Sequence, residues 1–322
     1  MKKKLLSALL CAAMVASLVI GCGQKEPAVE EPAATEEADE ENYETGDASL
    51  DNTRNQDEIG ENELLVVSFG TSFNDNRRLT IGAIEEKIEA AFPEYAVRRG
   101  FTSQIIIDHV MSRDNVKIDN VAEALDRAVA NGVKNLVVQP TLLMNGIEYE
   151  ELTTTLAEYS DSFESVTVGE PLLTSDEDFQ KVAAAIVDAT AEYDDGKTAI
   201  VFMGHGTHHE SNAVYAKMQT LLTEGGHKNY FVGTVEGSPM LEEVMPLVEA
   251  GGYERVVLRP LMIVAGDHAN NDMAGLEEAG AWAYEFEAAG YEVVSVVEGL
   301  GQIEAIQDLL VEHTKVAVDS AK

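Results

Sequence analysis

The chain carries an internal repeat, so any fold proposed for it must contain two copies of one unit. Residues 135–148 align without a gap on residues 255–268. Three pairs mark this register: Pro140 with Pro260, Gly146 with Gly266, and Glu148 with His268. Residues 65–71 also match residues 200–207 once a single interposed glycine is allowed. A repeat of this length indicates duplication of a folding unit rather than a short-period solenoid.

The repeated unit has the pattern of an α/β fold. Short apolar runs typical of buried strands alternate with segments of helical periodicity, and this alternation indicates right-handed crossovers and a parallel sheet. We therefore expect two similar parallel-sheet lobes with flanking helices, facing each other across a cleft. The predicted bounds are residues 61–194 for the N-terminal lobe and residues 195–322 for the C-terminal lobe.

The first 22 residues are typical of an export signal. Three lysines precede an apolar run over residues 5–20, which leads into Val19-Ile20-Gly21-Cys22. This ending resembles a bacterial lipobox, in which the cysteine is lipidated and becomes the new N-terminus. An ordinary cleaved signal and an uncleaved anchor are the alternatives. Lipidation of Cys22 predicts an exported, membrane-anchored lipoprotein that faces the periplasm or the cell exterior.

Residues 23–60 are acidic and poor in large apolar side chains, a composition that predicts a disordered tether. This segment contributes to a formal net charge of -36 for the 322-residue chain. So acidic a protein is not expected to bind nucleic acid or an anionic lipid surface. Both cysteines, Cys11 and Cys22, lie in the signal. The mature domain therefore has no disulfide, and any metal site in it must use nitrogen and oxygen ligands.

A cluster of histidines follows an apolar strand in the second half of the chain. Residues 198–203 read as a buried strand, and Gly204-His205-Gly206-Thr207-His208-His209 follows at once. The glycines on both sides of His205 allow a sharp turn and a close approach by a ligand. His208 and His209 are equally compatible with the start of a solvent-exposed helix.

Two further polar residues follow strands that should lie beside this one. Glu236 follows the strand predicted over residues 230–235, and His268 follows the strand that starts at Arg255. Since the carboxyl ends of parallel strands share one sheet edge, His205, Glu236 and His268 can converge. Two imidazoles and a carboxylate suit cobalt, nickel, iron or zinc. A Glu or His after a strand also serves often as a helix cap or a surface group, so spacing alone leaves both interpretations open.

The chain resembles a known family at these and other motifs. They are Val67-Ser68-Phe69-Gly70-Thr71-Ser72, Phe101-Thr102-Ser103, Asn145-Gly146 with Glu148-Tyr149-Glu150, Val201-Phe202-Met203-Gly204-His205-Gly206, and Pro260-Leu261-Met262 with Ala265-Gly266-Asp267-His268-Ala269-Asn270-Asn271-Asp272-Met273. Together they are similar to the anaerobic-type sirohydrochlorin cobaltochelatases, which are class II tetrapyrrole chelatases. The resemblance runs from about Leu64 to near the C-terminus. It implies a bilobal chelatase fold that holds the tetrapyrrole in the cleft.

The resemblance also implies roles for individual residues. It makes His205 a metal ligand and the proton acceptor, with Glu236 and His268 as the other ligands. Glu148 matches a cleft acid that assists ring binding or proton removal. Ser68 and Thr71, in the first motif, are expected to contact the substrate. Many relatives carry a histidine near the end of the third strand where this chain has Leu142, which argues against haem binding there.

The implied substrates raise a question of charge. A sirohydrochlorin-like ring carries many carboxylates, and the best local countercharge in this acidic chain is Arg98-Arg99, at a strand end. We expect Arg99 to bind the ring, the alternative being a solvated strand end. Co²⁺ is the expected substrate ion, with Ni²⁺, Fe²⁺ and Zn²⁺ as alternatives. No organic cofactor is expected.

Two functions from different classes fit these observations. The first is an exported, lipid-tethered chelatase that inserts a divalent ion into a tetrapyrrole, with the membrane as partner through its anchor. The second is a non-catalytic lipoprotein that captures a metal or a metallotetrapyrrole for uptake. Export favours the carrier, whereas the proton acceptor that the resemblance implies favours the enzyme. The sequence leaves homo-oligomer formation open.

Overall fold

Two four-stranded parallel sheets form the framework of the protein. The computed structural model describes residues 45–277 and 279–321, so the predicted signal, Cys22 and residues 23–44 of the predicted tether lie outside it. The first sheet has the order β2-β1-β3-β4, from β1 (Asn62–Ser68), β2 (Ala96–Phe101), β3 (Asn135–Pro140) and β4 (Ser165–Val168). The second has the order β6-β5-β7-β8, from β5 (Thr198–Gly204), β6 (Tyr230–Thr234), β7 (Arg255–Pro260) and β8 (Glu292–Ser295). The predicted α/β fold class is confirmed.

Helices flank both sheets, because the central strands are apolar on both faces. All residues from Leu64 to Val67 in β1 and from Ala199 to Met203 in β5 are inaccessible to solvent, which requires cover on each face. The helices are α1 (Asn74–Arg77), α2 (Ala83–Ala91), α3 (Gln104–Asp114), α4 (Val121–Ala130), α5 (Ile147–Tyr159), α6 (Asp176–Asp188), α7 (Ala213–Glu224), α8 (Leu241–Gly251), α9 (Trp282–Ala288) and α10 (Glu304–Ser320). Among the described residues, no helix is both long and apolar enough to cross a membrane.

The strand pairing places the two halves of the repeat in one register. Val67 of β1 pairs with Pro140, and Met203 of β5 pairs with Pro260, so these two strand positions are equivalent. Counting on from them makes Gly204 equivalent to Ser68. The interposed glycine expected from the sequence is therefore wrong, because both β1 and β5 span seven residues and align without a gap.

The last helix crosses from the second half of the chain to the first. Helix α10 packs against α2, α6 and β3. One hydrophobic cluster joins Val137 of the first sheet, Phe202 of the second and Leu310 of α10. The predicted lobe boundary at residue 195 therefore does not hold for α10, whose apolar face completes the core of the first lobe.

Residues 45–60 are packed onto the first lobe, which corrects the predicted tether over residues 23–60. Asp51 and Arg54 are almost fully buried and form ion pairs with side chains that follow later in the chain. The composition of this stretch suggested disorder because its charges had no visible partners nearby in sequence. The partners Arg77, Glu85 and Arg99 come from α1, α2 and β2.

Candidate metal site

Three potential metal ligands meet at the carboxyl edge of the second sheet. His205 follows β5, Glu236 follows β6 and His268 follows β7. One ligand atom from each of the three lies within 4.8 Å of the others. The structure thus brings together the residues that strand order had selected, from positions up to 63 residues apart (268 − 205).

The turn that carries His205 depends on its two glycines. A Cβ atom at Gly204 would lie 2.1 Å from the ring of Tyr215, so only glycine admits that ring. Gly206 has a φ of +86°, a left-handed conformation that favours glycine. The Tyr215 hydroxyl accepts a hydrogen bond of 3.2 Å from the backbone N–H of Gly206. The buried side chain of Tyr215 therefore stabilises the turn that carries His205.

A hydrogen bond sets the tautomer of His205. Its Nδ1 lies 2.8 Å from the carbonyl oxygen of Gly206. Because a carbonyl can only accept, Nδ1 carries the proton of the neutral ring. The lone pair on Nε2 is then available to a metal ion or to a proton.

His268 is oriented in the same way by a carboxylate. Its Nδ1 lies 2.6 Å from Oδ2 of Asp272, one turn further along the π-helical segment Ala269–Met273. This hydrogen bond is the main reason why the pKa of His268 is raised, and burial opposes it. The charges of Asp267 and Glu236 raise the pKa further. A carboxylate behind a ligating histidine fixes the ring and makes it a stronger ligand.

The triad is an open site with mixed ligands. The rings of His205 and His268 meet edge to face, with centroids 4.7 Å apart. The backbone N–H of Glu236 donates a 2.8 Å hydrogen bond to the carbonyl of His205, which joins these two ligands through the main chain. Two nitrogens and one carboxylate leave further coordination positions free. Such a site can bind a divalent ion and still release it to another ligand.

Glu148 lies in the other lobe, at the start of the helix that follows β3. It lies in the first turn of α5 and is half-buried. Burial raises the pKa of Tyr215 to about 12, and the negative charge of Glu148 adds to this effect. Glu148 is not a member of the triad. A Cβ atom at Gly146, two positions before Glu148, would lie 3.2 Å from the hydroxyl of Ser211, which follows His205 in the other lobe.

The two lobes touch at the loops that carry these residues. Asn76 of α1 accepts a 2.8 Å hydrogen bond from the backbone N–H of Ala265, in the loop that leads to His268. On the other side, Nε2 of His209 lies 3.5 Å from a carboxylate oxygen of Glu150 in α5. The carboxyl edges of the two sheets are therefore turned toward each other. His209 also caps the short helix that follows it, and His208 takes no part in the triad.

Arg99 does not face this site, and the substrate-binding role expected for it is corrected. Its side chain is completely buried, with hydrogen bonds to Glu85 and Asp51. Arg98 is equally buried and donates to the backbone carbonyls of Arg54 and Gln56. Both guanidinium groups hold residues 45–60 on the first lobe and are unavailable to a ring in the cleft.

Ser68 and Thr71 are also buried rather than presented to a ligand. The Ser68 hydroxyl lies 2.6 Å from that of Thr141, which ties the end of β1 to the end of β3. The Thr71 hydroxyl accepts a hydrogen bond from the backbone of Phe73. A Cβ atom at Gly266 would lie only 3.1 Å from the Thr71 oxygen. The two hydroxyl groups therefore shape the strand ends and the contact between lobes.

Three residues that support the site were not predicted from the sequence. Asp272 could have been found, because a carboxylate four positions after a histidine lies on the same helical face. Tyr215 and Asn76 carry no such signal. Tyr215 is defined by its contact with Gly206, nine positions earlier, and Asn76 by its contact with Ala265 in the other lobe.

Comparisons with known proteins found a matching family, similar curated proteins and solved structures that share the fold. Residues 62–319 match the family described as cobalt chelatase (CbiK). The chain is 35% identical over 258 residues to the sirohydrochlorin cobaltochelatase of Salmonella typhimurium, covering 80% of this chain and 97% of that relative. It is 30% identical over 259 residues to the sirohydrochlorin cobaltochelatase CbiKC of Nitratidesulfovibrio vulgaris, covering 80% and 90% of the two chains. SirB from Bacillus subtilis, solved with Fe³⁺, shares the fold with a TM-score of 0.55 and 15% identity, covering 81% of this chain and 97% of SirB.

Proposed function

Because this chain belongs to the cobalt chelatase (CbiK) family and is a tetrapyrrole metal chelatase, we propose that it inserts Co²⁺ into sirohydrochlorin. The observation that carries this proposal is the convergence of His205, Glu236 and His268, with Nε2 of each histidine left free for the ion. The names of both curated relatives favour cobalt and sirohydrochlorin. Nickel, iron and zinc suit the same ligands.

The triad would bind the ion weakly enough to release it to the ring. Two neutral imidazoles bind a borderline divalent ion, and Glu236 offsets one of its charges. Free coordination positions allow the nitrogens of the ring to replace the protein ligands one at a time. A closed tetrahedral site would keep the ion instead.

The proton balance of metal insertion requires two proton acceptors. Insertion of a divalent ion into a free-base ring releases two pyrrolic protons. The single lone pair on Nε2 of His205 can hold the ion or a proton, but not both at once. His205 therefore accepts one proton as the ion leaves it for the ring. Glu148, in the opposite lobe, is the proposed acceptor of the second.

The competing function is a carrier that binds a metallotetrapyrrole without inserting the ion. Purified full-length protein, sirohydrochlorin and single divalent ions under anaerobic conditions separate the two. A chelatase changes the absorption spectrum of the ring with multiple turnovers, fastest with Co²⁺. A protein that binds the ring tightly and inserts none of the ions is a carrier, and that result would overturn the proposal.

We also propose that the protein is exported and anchored to the membrane by a lipid on Cys22. The sequence before Cys22 supports them. Cys22→Ser should move the protein from the membrane fraction to the soluble fraction with unchanged chelatase activity. Unchanged membrane association would remove the lipoprotein proposal and leave the chelatase proposal intact.

A further inference from the structure

The first lobe presents an aromatic residue at the position where the second lobe presents a metal ligand. With Val67 equivalent to Met203 in the strand register, Phe69 is equivalent to His205. The backbone N–H of Ser103 donates to the carbonyl of Phe69, as that of Glu236 donates to the carbonyl of His205. The side chains of Phe69 and His205 therefore project from equivalent backbone positions at the ends of their strands.

The next residue extends this equivalence. Gly70 follows Phe69 with a φ of +107°, and Gly206 follows His205 with a φ of +86°. Both turns thus use a left-handed glycine directly after the residue that projects from the strand end. The duplication has kept the turn and changed the side chain that the turn displays.

The first lobe cannot repeat the metal triad of the second. Its three equivalent positions are Phe69, Ser103 and Glu148. Phenylalanine has no lone pair to offer, and the Ser103 hydroxyl caps α3 by accepting from the backbone of Ile106. Of the three residues, only Glu148 has a side chain that commonly binds metal ions. These three positions therefore offer one apolar side chain, one capping hydroxyl and one acid.

Phe69 is exposed although the residues around it are buried. Its exposed fraction is 46%, whereas those of Ser68 and Thr71 are 2% each. Ile105, after β2, and Ile147, after β3, are 59% and 40% exposed. The three apolar side chains follow three adjacent strands, with Phe69 in the middle. All three therefore lie at the carboxyl edge of the first sheet, the edge that faces the second lobe.

We propose that Phe69 is a ring-positioning residue, which packs its aromatic face against the side of the tetrapyrrole opposite the metal triad. The inference rests on the proposed function, since it requires a flat conjugated substrate in the cleft. Offset stacking on a phenyl ring suits such a macrocycle and places no second metal ligand on that side. The ion therefore enters the ring from the triad side only.

The test separates ring binding from metal binding in the full-length protein. Phe69→Ala should weaken equilibrium binding of metal-free sirohydrochlorin, followed by absorbance, roughly tenfold, because it removes buried apolar area and stacking. KM for the ring should rise in step, and Co²⁺ binding without the ring should stay at the wild-type level. Phe69→Tyr should restore ring affinity. Leu247→Ala removes an exposed leucine of α8 and serves as the matched control with no expected effect.

Several outcomes would overturn the inference. Wild-type ring affinity in Phe69→Ala would mean that the ring does not contact this residue. Loss of Co²⁺ binding in the absence of the ring would mean that Phe69 is structural. If the alanine variant does not fold, Phe69→Leu replaces it, and its ring affinity must fall below that of Phe69→Tyr. Wild-type protein that binds no ring would overturn the proposed function and this inference together, whereas a wild-type KM for the ring in Phe69→Ala would overturn the inference alone.

Discussion

Asn76 in the first lobe accepts a 2.8 Å hydrogen bond from the backbone N–H of Ala265 in the second. Ala265 begins the turn that carries His268, and Asn270 closes that turn by donating to the carbonyl of Gly266. The amide of Asn76 also donates weakly to Gln302, at 3.4 Å. The position of His268, a proposed metal ligand, is therefore tied to the other lobe.

Asn76→Ala should weaken Co²⁺ binding about fivefold, the equivalent of one ordinary hydrogen bond. The backbone of Ala265 would lose its acceptor, and His268 would be less well placed. Calorimetric titration with Co²⁺ measures the change. Asn229→Ala removes a side chain that bonds to Asp194 and Thr198 at the far end of the second sheet and should leave Co²⁺ affinity unchanged. Equal effects of the two variants would contradict the coupling.

Asp272 should set the pH range of metal binding. A proton on Nε2 of His268 competes with the ion, and the hydrogen bond to Asp272 raises the pKa of that histidine. Co²⁺ affinity is therefore lost as pH falls through the raised pKa, at higher pH than for an ordinary histidine. Asp272→Asn keeps an acceptor but removes the charge, so the midpoint should move to lower pH. At pH 8 its affinity should be about tenfold weaker, because the imidazole is less basic.

The control for this experiment is Asp267→Asn. Asp267 raises the pKa of His268 less than Asp272 does and leaves the hydrogen bond in place. Its midpoint should shift in the same direction by a smaller amount. A midpoint that does not move in Asp272→Asn would show that His268 is not the titrating ligand.

Arg99 should matter for stability and not for the substrate. Arg99→Met leaves the carboxylates of Glu85 and Asp51 buried without their main partner, at a cost of about 3–5 kcal/mol in the free energy of unfolding. KM for sirohydrochlorin should not change in the folded fraction. Arg78→Met, which removes a half-exposed pair with Asp75, should cost less than about 1 kcal/mol. A raised KM with unchanged stability in Arg99→Met would restore the substrate-binding role.

Glu63 should make stability fall with rising pH. Burial raises its pKa to about 7 from an ordinary value of 4.5, against the opposing charges of Arg98 and Arg127. Its carboxylate oxygens have no hydrogen-bond partner among the described residues. Above pH 4.5 the unfolded chain releases this proton and the folded chain keeps it, so stability is lost as pH rises through about 7.

The loss from this one group amounts to about 3 kcal/mol. Glu63→Gln cannot ionise and should lack this component of the pH dependence. Denaturant unfolding at pH 5 and pH 8 measures the difference between the two proteins. Parallel stability curves for wild type and variant would show that Glu63 titrates normally.

The sequence predicted the parts of this structure that rest on periodicity and strand order. The ungapped repeat placed Pro140 and Pro260 at equivalent positions, and the strands before His205, Glu236 and His268 predicted one shared edge. Neither signal requires knowledge of side-chain contacts. A parallel sheet brings the carboxyl ends of its neighbouring strands together.

The errors concern charges whose partners are remote in sequence. Arg99 is predicted to bind the substrate as a countercharge. Its actual partners, Asp51 and Glu85, lie 48 and 14 positions away, so the sequence does not reveal the pairing. For the same reason residues 45–60 were assigned to the tether. Packing of α10 on the first lobe was missed because an amphipathic helix does not reveal which core it covers.

His205 is proposed to give up the ion to the ring and to accept a pyrrolic proton in return, and one paired measurement on His205→Ala tests both roles. Metal-free sirohydrochlorin is titrated into wild type and variant under anaerobic conditions, and Co²⁺ is then added while the ring spectrum is followed. We expect ring affinity close to wild type and no detectable insertion, because the variant lacks the proposed metal ligand and proton acceptor. Insertion by His205→Ala at a rate near that of wild type would show that His205 is needed neither to hold the ion nor to accept the proton.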